Sequence, residues 1–232
     1  MAPSRKLHSS GDLDSRLAAD RKRALAQITD SREIIARLDQ YVALLLQWQA
    51  KTNLIAPSTL PAVWTRHVAD SLQLLSLAPQ ARRWIDLGSG AGFPGLAVAC
   101  ALGDASGAMV HLVESNQKKA AFLREAVRLT GAPAMVHPVR IEDFVDGFRE
   151  PVDIVTARAL APLDNLLEKA YPLLKSGAQG LFMKGQDVEA ELTAASKCWT
   201  IAFDMVPSAT DAGGCIVRVR SIEKVGRRNI DG

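Results

Sequence analysis

The chain is poor in cysteine. Its three residues, Cys100, Cys198 and Cys215, are odd in number and show no CxxC or finger spacing, which excludes a disulfide framework and a zinc finger. They read as reduced, mostly buried thiols, and no metal site is expected. No apolar run approaches the roughly 20 residues that a bilayer-spanning helix requires. The opening MAPSRKLHSSGDLDSR lacks the apolar segment of a signal peptide, so a cytoplasmic location without membrane contact is expected. Internal repeats and low-complexity tracts are absent. Excess charge is small: a net +3 is compatible with a polyanionic partner without demanding one. With 48% hydrophobic and 23% charged residues, the 232-residue chain suits one α/β domain of ordinary size with a small appendage.

Residues 1 to about 30 are polar and poor in apolar periodicity, so the first dozen are expected to be loose. Arg21-Lys22-Arg23 reads as a solvated helix face or an RNA contact. From Ser31 to Lys51 the apolar positions Ile34, Ile35, Leu38, Tyr41, Val42, Leu45 and Trp48 recur at three and four, predicting an amphipathic helix. A second helix is predicted from Leu60-Pro61 through Leu75. After Arg83, β-rich runs at 84–87, 109–113, 134–139, 152–157, 180–184, 200–206 and 215–220 alternate with helical ones at 94–102, 116–130, 163–174 and 188–197. The expected fold is α/β: a mostly parallel seven-stranded sheet with helices on both faces, preceded by a small helical cap. Residues 1–80 are assigned to the extension and cap and 81–232 to a cofactor-binding domain. The last two strands follow each other without a helix, which predicts a closing antiparallel hairpin.

The strongest signal is the run Asp-Leu-Gly-Ser-Gly-Ala-Gly-Phe-Pro-Gly from Asp86 to Gly95, a buried strand entering a glycine-rich turn and then a helix. Glycines there admit close backbone approach of a ligand across the strand end. The run formally satisfies GxGxxG, so a nicotinamide-dependent oxidoreductase is one alternative. Register opposes it, because the turn leaves the strand at Gly88 and Phe93 then holds the third glycine position. Pro94 removes an N–H where a pyrophosphate needs donors. S-adenosylmethionine has no phosphate to cradle. Asp86 is a candidate for the ammonium of that cofactor's methionine tail, directly or through water, or a structural turn carboxylate. Glu114, ending the second strand, is placed to accept both ribose hydroxyls. Gly88 and Gly90 form the cradle. Taken together, the unit resembles the class I, Rossmann-like methyltransferases.

At the fourth strand's exit, Asp153 to Ala161, there is no Asn/Asp-Pro-Pro-aromatic run for an exocyclic amine and no Pro-Cys nucleophile. An acceptor with a ready lone pair, such as guanine N7, fits this lack, and its attack needs no general base. The turn at Asp86–Gly95, Thr-Ala-Arg-Ala at 156–159 and Met-Lys-Gly at 183–185 resemble the RsmG family, also called glucose-inhibited division protein B. Asn53-Leu54-Ile55 and Arg66-His67-Val68-Ala69-Asp70-Ser71 match that family's cap. The similarity spans about residues 34 to 220. It implies transfer of a methyl group from S-adenosylmethionine to N7 of guanine 527 of 16S ribosomal RNA, within the small ribosomal subunit or a precursor, by direct displacement.

Carried over by motif, the cofactor contacts are Gly88, Phe93, Ile141, Glu142 and Arg158. Ile141-Glu142 follows the third strand where an adenine ring would lie, or is an ordinary loop before a helix. Arg158 binds the cofactor carboxylate or an RNA phosphate, or forms a structural ion pair, and position does not separate these. No catalytic base is named; Arg158, Lys184, Asn53 and His67 are candidate positioning residues. The cap residues Arg66, His67, Asp70 and Ser71 share a helical face, on which they have the spacing to bond one another. Candidate phosphate contacts are Arg82, Lys118, Lys119, Arg124, Arg140 and Arg149, with Arg218, Arg220, Lys224, Arg227 and Arg228 in the tail. A third reading is a module that binds the cofactor without catalysis.

Overall fold

The computed structural model describes residues 10–28 and 31–225. The β-rich runs become β1 (Arg83–Leu87), β2 (Met109–Val113), β3 (Ala134–His137), β4 (Ile154–Arg158), β5 (Gln179–Lys184), β6 (Trp199–Pro207) and β7 (Cys215–Lys224). They form one sheet in the order β3-β2-β1-β4-β5-β7-β6. The first five are parallel, and β7 lies antiparallel to both β5 and β6, as a helix-free connection requires. The order reverses beside β1, whose neighbours are β2 and β4. A ligand crevice therefore opens at the carboxyl ends of β1 and β4.

Alternate residues of the buried strands feed two cores. Trp84, Val110, Leu112 and Ile154 face one, packed with α2 (Arg32–Gln49), α3 (Asp70–Leu77), α4 (Gly95–Leu102) and α5 (Gln117–Thr130). Ile85, Leu87, Val113 and Val155 face the other, under α6 (Ile141–Gly147), α7 (Leu163–Lys175) and α8 (Val188–Ala195). Asn116 caps α5 by accepting from the Lys118 and Lys119 amides, and Gly131 ends it at φ 61°. The segment 141–144, read as an adenine contact or as an ordinary loop before a helix, is the start of α6. At seven residues, with only Phe144 and Val145 buried, it is too short to show a period. Of the cysteines only Cys100 is buried; Cys198, in the turn before β6, is exposed, and Cys215, at the mouth of β7, is half-buried. Among the described residues no helix is long and apolar enough to cross a membrane.

The cap corrects two expectations. Residues 10–28 are helical, as α1 (Ser10–Ile28), so the end of the first dozen, expected to be loose, already belongs to a helix; residues 1–9 lie outside the described part. Of the described α1 side chains only Asp20 and Ala24 are fully buried, with Leu17, Leu25 and Ile28 half-buried against the core, so its apolar stripe is weak and is interrupted by a carboxylate. The single predicted helix after Leu60 is instead a 3₁₀ turn (Pro57–Ala62), a π-helical turn (Trp64–Ala69) and then α3. Val63, at the start of the π-helical turn, makes no capping bond. Asp20 supplies the cap from α1: it accepts from the Trp64 amide (2.9 Å), the Thr65 amide (3.1 Å) and the Thr65 hydroxyl (2.5 Å). The basic run is engaged inside the cap. Arg23 pairs with Asp20 at 2.7 Å, and Arg21 forks onto Asp39 of α2 with both bonds at 2.6 Å.

Replacing Asp20 by alanine strips two helix-start amides and a hydroxyl of their acceptor. We expect a loss of about 2 kcal/mol in urea unfolding at unchanged slope. A loss below about 0.5 kcal/mol would show that these donors find other partners.

Candidate active site

The turn that follows β1 is held open by backbone geometry. Gly88 and Gly92 sit at φ 70° and 94°, where a side chain is strained. A Cβ on Gly88 would lie 2.5 Å from Leu160 Cδ1, and one on Gly92 2.7 Å from the Tyr41 hydroxyl. That hydroxyl, fully buried, donates to the Ala91 carbonyl at 2.5 Å, so α2 grips the turn directly. Phe93 faces the cap, its ring 5.2 Å from Tyr41 and stacked 5.0 Å from His67.

Beneath the turn Asp86 is buried, accepting from the Gly95 amide at 3.1 Å and from the Thr156 hydroxyl at 2.9 Å. Burial pushes its carboxyl up to about 6, against the lowering effect of those bonds. Of the two roles open to Asp86, this placement supports the structural one, because its oxygens bind β4 and the start of α4. The α4 N-terminus, where a dinucleotide pyrophosphate would dock, is thus turned onto a carboxylate.

Above the turn lies a cavity of about 390 Å³ whose walls include Gly88, Gly90, Glu114, Ile141, Glu142 and Leu160. Five of the eight candidate cofactor residues therefore converge; Asp86 lies beneath the turn, Phe93 in the cap interface and Arg158 elsewhere. Glu114 Oε2 accepts from the Gly90 amide at 2.9 Å and Oε1 from the Asn116 amide at 2.7 Å. Each oxygen keeps a lone pair for a further donor. The pairing of Lys169 with Glu142 holds the Glu142 carboxyl below its ordinary range and closes one side. Lys169 comes from α7, and no local pattern announced it.

Beyond Ala159 and Leu160 a second cavity, of about 500 Å³, is lined by Arg158, Lys184, Glu191 and Asp70 among others. The Arg158 guanidinium bonds the His67 Nδ1 at 3.0 Å, the Arg66 carbonyl at 2.7 Å and the Asp70 carboxylate at 3.1 Å. A guanidinium only donates, so His67 Nδ1 accepts and its Nε2–H points to Thr59 Oγ1, 2.8 Å away. Burial, with the charges of Arg158 and Arg66, lowers the imidazole to about 3, leaving it neutral at physiological pH. The cap residues thus bond mainly across to the sheet, although the Ser71 hydroxyl does donate to the His67 carbonyl. Asp70 also accepts from Ser208 and Thr210, and Arg66 pairs with Asp211 at 3.1 Å. Asn53 is exposed between α2 and the 3₁₀ turn and lines neither cavity.

A family profile described as rRNA small subunit methyltransferase G, GidB, matches residues 34–212. The chain belongs to this family. It is an S-adenosylmethionine-dependent methyltransferase. It is 61% identical over 210 residues to ribosomal RNA small subunit methyltransferase G of Nitrobacter hamburgensis, an alignment covering 90% of this chain and 81% of that protein. With the protein of the same name from Bradyrhizobium sp. BTAi1 it shares 60% over 208 residues, covering 90% and 94%. An O-methyltransferase from Bacillus cereus, solved in complex with SAH, has a similar fold: TM-score 0.57 at 15% identity, over 90% of this chain and all of that one. Membership decides against the oxidoreductase reading of the glycine turn. A turn open at Gly88 and Gly90, with a carboxylate at its rim, fits a nucleoside-bearing cofactor without phosphates.

Gly88→Ala and Glu114→Gln should each weaken S-adenosylmethionine binding about ten- to hundredfold in calorimetry; unchanged affinity would remove this turn from the cofactor site. Asp86 adds a pH dependence. Its folded-state pKa lies above the ordinary 3.8, so the folded protein holds that proton more tightly than the unfolded chain does. Stability relative to Asp86→Asn should be greatest below about pH 4, fall as pH rises to about 6 and then level off. A difference that rises across that window would mean the site favours the anion.

Proposed function

We propose that this protein transfers the methyl group of S-adenosylmethionine to N7 of guanine 527 of 16S ribosomal RNA, by direct displacement. The observation that carries this reading is the meeting of the two cavities at Ala159–Leu160, one walled by five of the candidate cofactor residues and the other open to an acceptor. When bound, the cofactor supplies an electrophilic methyl on sulfur. Glu114 would hold its ribose hydroxyls, Ile141 and Glu142 its adenine, and Gly88 and Gly90 its path along the turn. Guanine N7 attacks through its own lone pair, so the chain's work is to align the reactants and exclude water. Arg158, held from behind by His67 and Asp70, forms part of the wall of the acceptor cavity.

In A-form RNA the major groove keeps side chains away from N7, so the target guanine is expected in a loop or distorted helix of the small subunit. Work on ribosomal RNA supports reading the protein as cytoplasmic. Among the described cations, Lys118, Arg124 and Arg140 are exposed and enter no ion pair, which favours them as phosphate contacts. Arg218 and Arg220 both pair with Asp204, and Lys224 lies over the Tyr171 and Trp199 rings. Arg227 and Arg228 lie outside the described residues.

The test is transfer of labelled methyl to small subunits lacking the modification, with free rRNA alongside and cleavage at N7-methylguanine to map the site. Label at one guanine, with kcat flat between about pH 7 and 9, is the expected result. Cofactor binding without label would point to a non-catalytic module, and a kcat profile that titrates within that range would reveal a base the proposal omits.

A further inference from the structure

The two cavities have only Ala159 and Leu160 in common among their lining residues, so any methyl passing from one to the other crosses this turn. Ala159 is held at φ 49°, a left-handed conformation that a non-glycine residue adopts only when its surroundings impose it. Leu160 rests on Gly88, with Cδ1 where a Cβ on that glycine would fall. The upstream end of the turn is fixed through Arg158. The downstream end is gripped by one ion pair: Lys184, the last residue of β5, donates to the Ala161 carbonyl at 2.8 Å and meets Glu191 of α8 at 2.5 Å. The same Glu191 oxygen accepts from the Leu163 amide at 2.7 Å, at the start of α7, where Pro162 makes no capping bond.

The Lys184 side chain is 8% exposed and that of Glu191 25%. An ion pair this sheltered seldom adds net stability, because desolvation cancels much of the attraction; what it supplies is fixed geometry. Two of the three Lys184 donors already have protein partners, which leaves the ammonium poorly placed to grip a phosphate. We propose that Lys184 and Glu191 are positioning residues for methyl transfer, setting the Ala159–Leu160 partition at which cofactor and acceptor base meet. This rests on the methyl-transfer reading above.

The test pairs the apolar double variant Lys184→Met/Glu191→Leu with the neutral, hydrogen-bonding variant Lys184→Gln/Glu191→Gln, which keeps the fold accessible if the first does not refold. A single Lys184→Met is measured beside them. The readouts are single-turnover methyl transfer to small subunits, cofactor Kd by calorimetry, apparent KM for subunits and Tm. The expected result is transfer slowed about ten- to hundredfold in folded double variants, with Kd and KM within about threefold of wild type. Wild-type rates in a folded double variant would overturn the proposal, because the pair would then be structural only. So would a Lys184→Met effect confined to KM with a shallower salt dependence, the mark of direct RNA contact. Absence of transfer by the wild-type protein would instead sink the rRNA reading itself.

Discussion

A carboxylate with no access to water holds the catalytic edge of this sheet together. Asp86 belongs to β1, takes one hydrogen bond from the first turn of α4 and another from Thr156 of β4. Taking a carboxylate out of water is costly, and the upward shift of its pKa is the measure of that cost. The bonds offset part of it and make the placement specific. An N–H at a helix start and a hydroxyl on the neighbouring strand have few other acceptors in an apolar core. Because β1 and β4 flank the switch point of the sheet, fixing their spacing fixes where the glycine turn and the β4 exit stand relative to each other. Glu114 does the complementary work above the turn, where its oxygens remain within reach of a ligand.

The cap is bonded to that edge as well as packed on it. Tyr41 donates to the turn at Ala91, and Phe93 lies between Tyr41 and His67. Arg158 joins the exit of β4 to Arg66, His67 and Asp70. These links converge on the π-helical turn, and Asp20 of α1 closes that turn from outside. The Arg66 carbonyl, within this turn, is the one that accepts from Arg158. Displacement of α1 would therefore be felt at Arg158 through a chain of specific bonds.

How far the sequence discloses all this follows from how local each signal is. The strands were legible because buried parallel strands are short apolar runs with sharp polar borders: 109–113 coincides with β2. β7 runs on to Lys224 past the predicted Arg220, because Ser221 to Glu223 pair with the edge strand β6 on a more polar stretch. The glycine turn and Glu114 were legible for the same reason, as their spacing is set within one β-α-β unit. By contrast, α1 fully buries one apolar side chain among many charges and α6 is under two full turns long, so the period of each is weak. Arg158 and His67 are 91 residues apart. A bond of that kind has no local signature, and the sequence left Arg158 open between a cofactor role, an RNA role and a structural ion pair.

The charges of the second cavity bear on what it can hold. Its lining cations are Arg158 and Lys184, and each meets a carboxylate of the same wall, Asp70 and Glu191. Asp211 is matched by Arg66 from the rim. A site built to hold a phosphate would leave cations unmatched, because its affinity comes from replacing counterions. Here Asp187 adds a further carboxylate, so the wall offers a phosphate no excess positive charge while donors and acceptors remain, which suits a polar, planar group such as a nucleobase better than a sugar-phosphate backbone. The backbone is then left to the unpaired cations on α5 and at Arg140, beside the other cavity. On this arrangement the RNA would lie across the cofactor side while one base crosses the Ala159–Leu160 rim, so a base free to leave its stack becomes a condition of reaction.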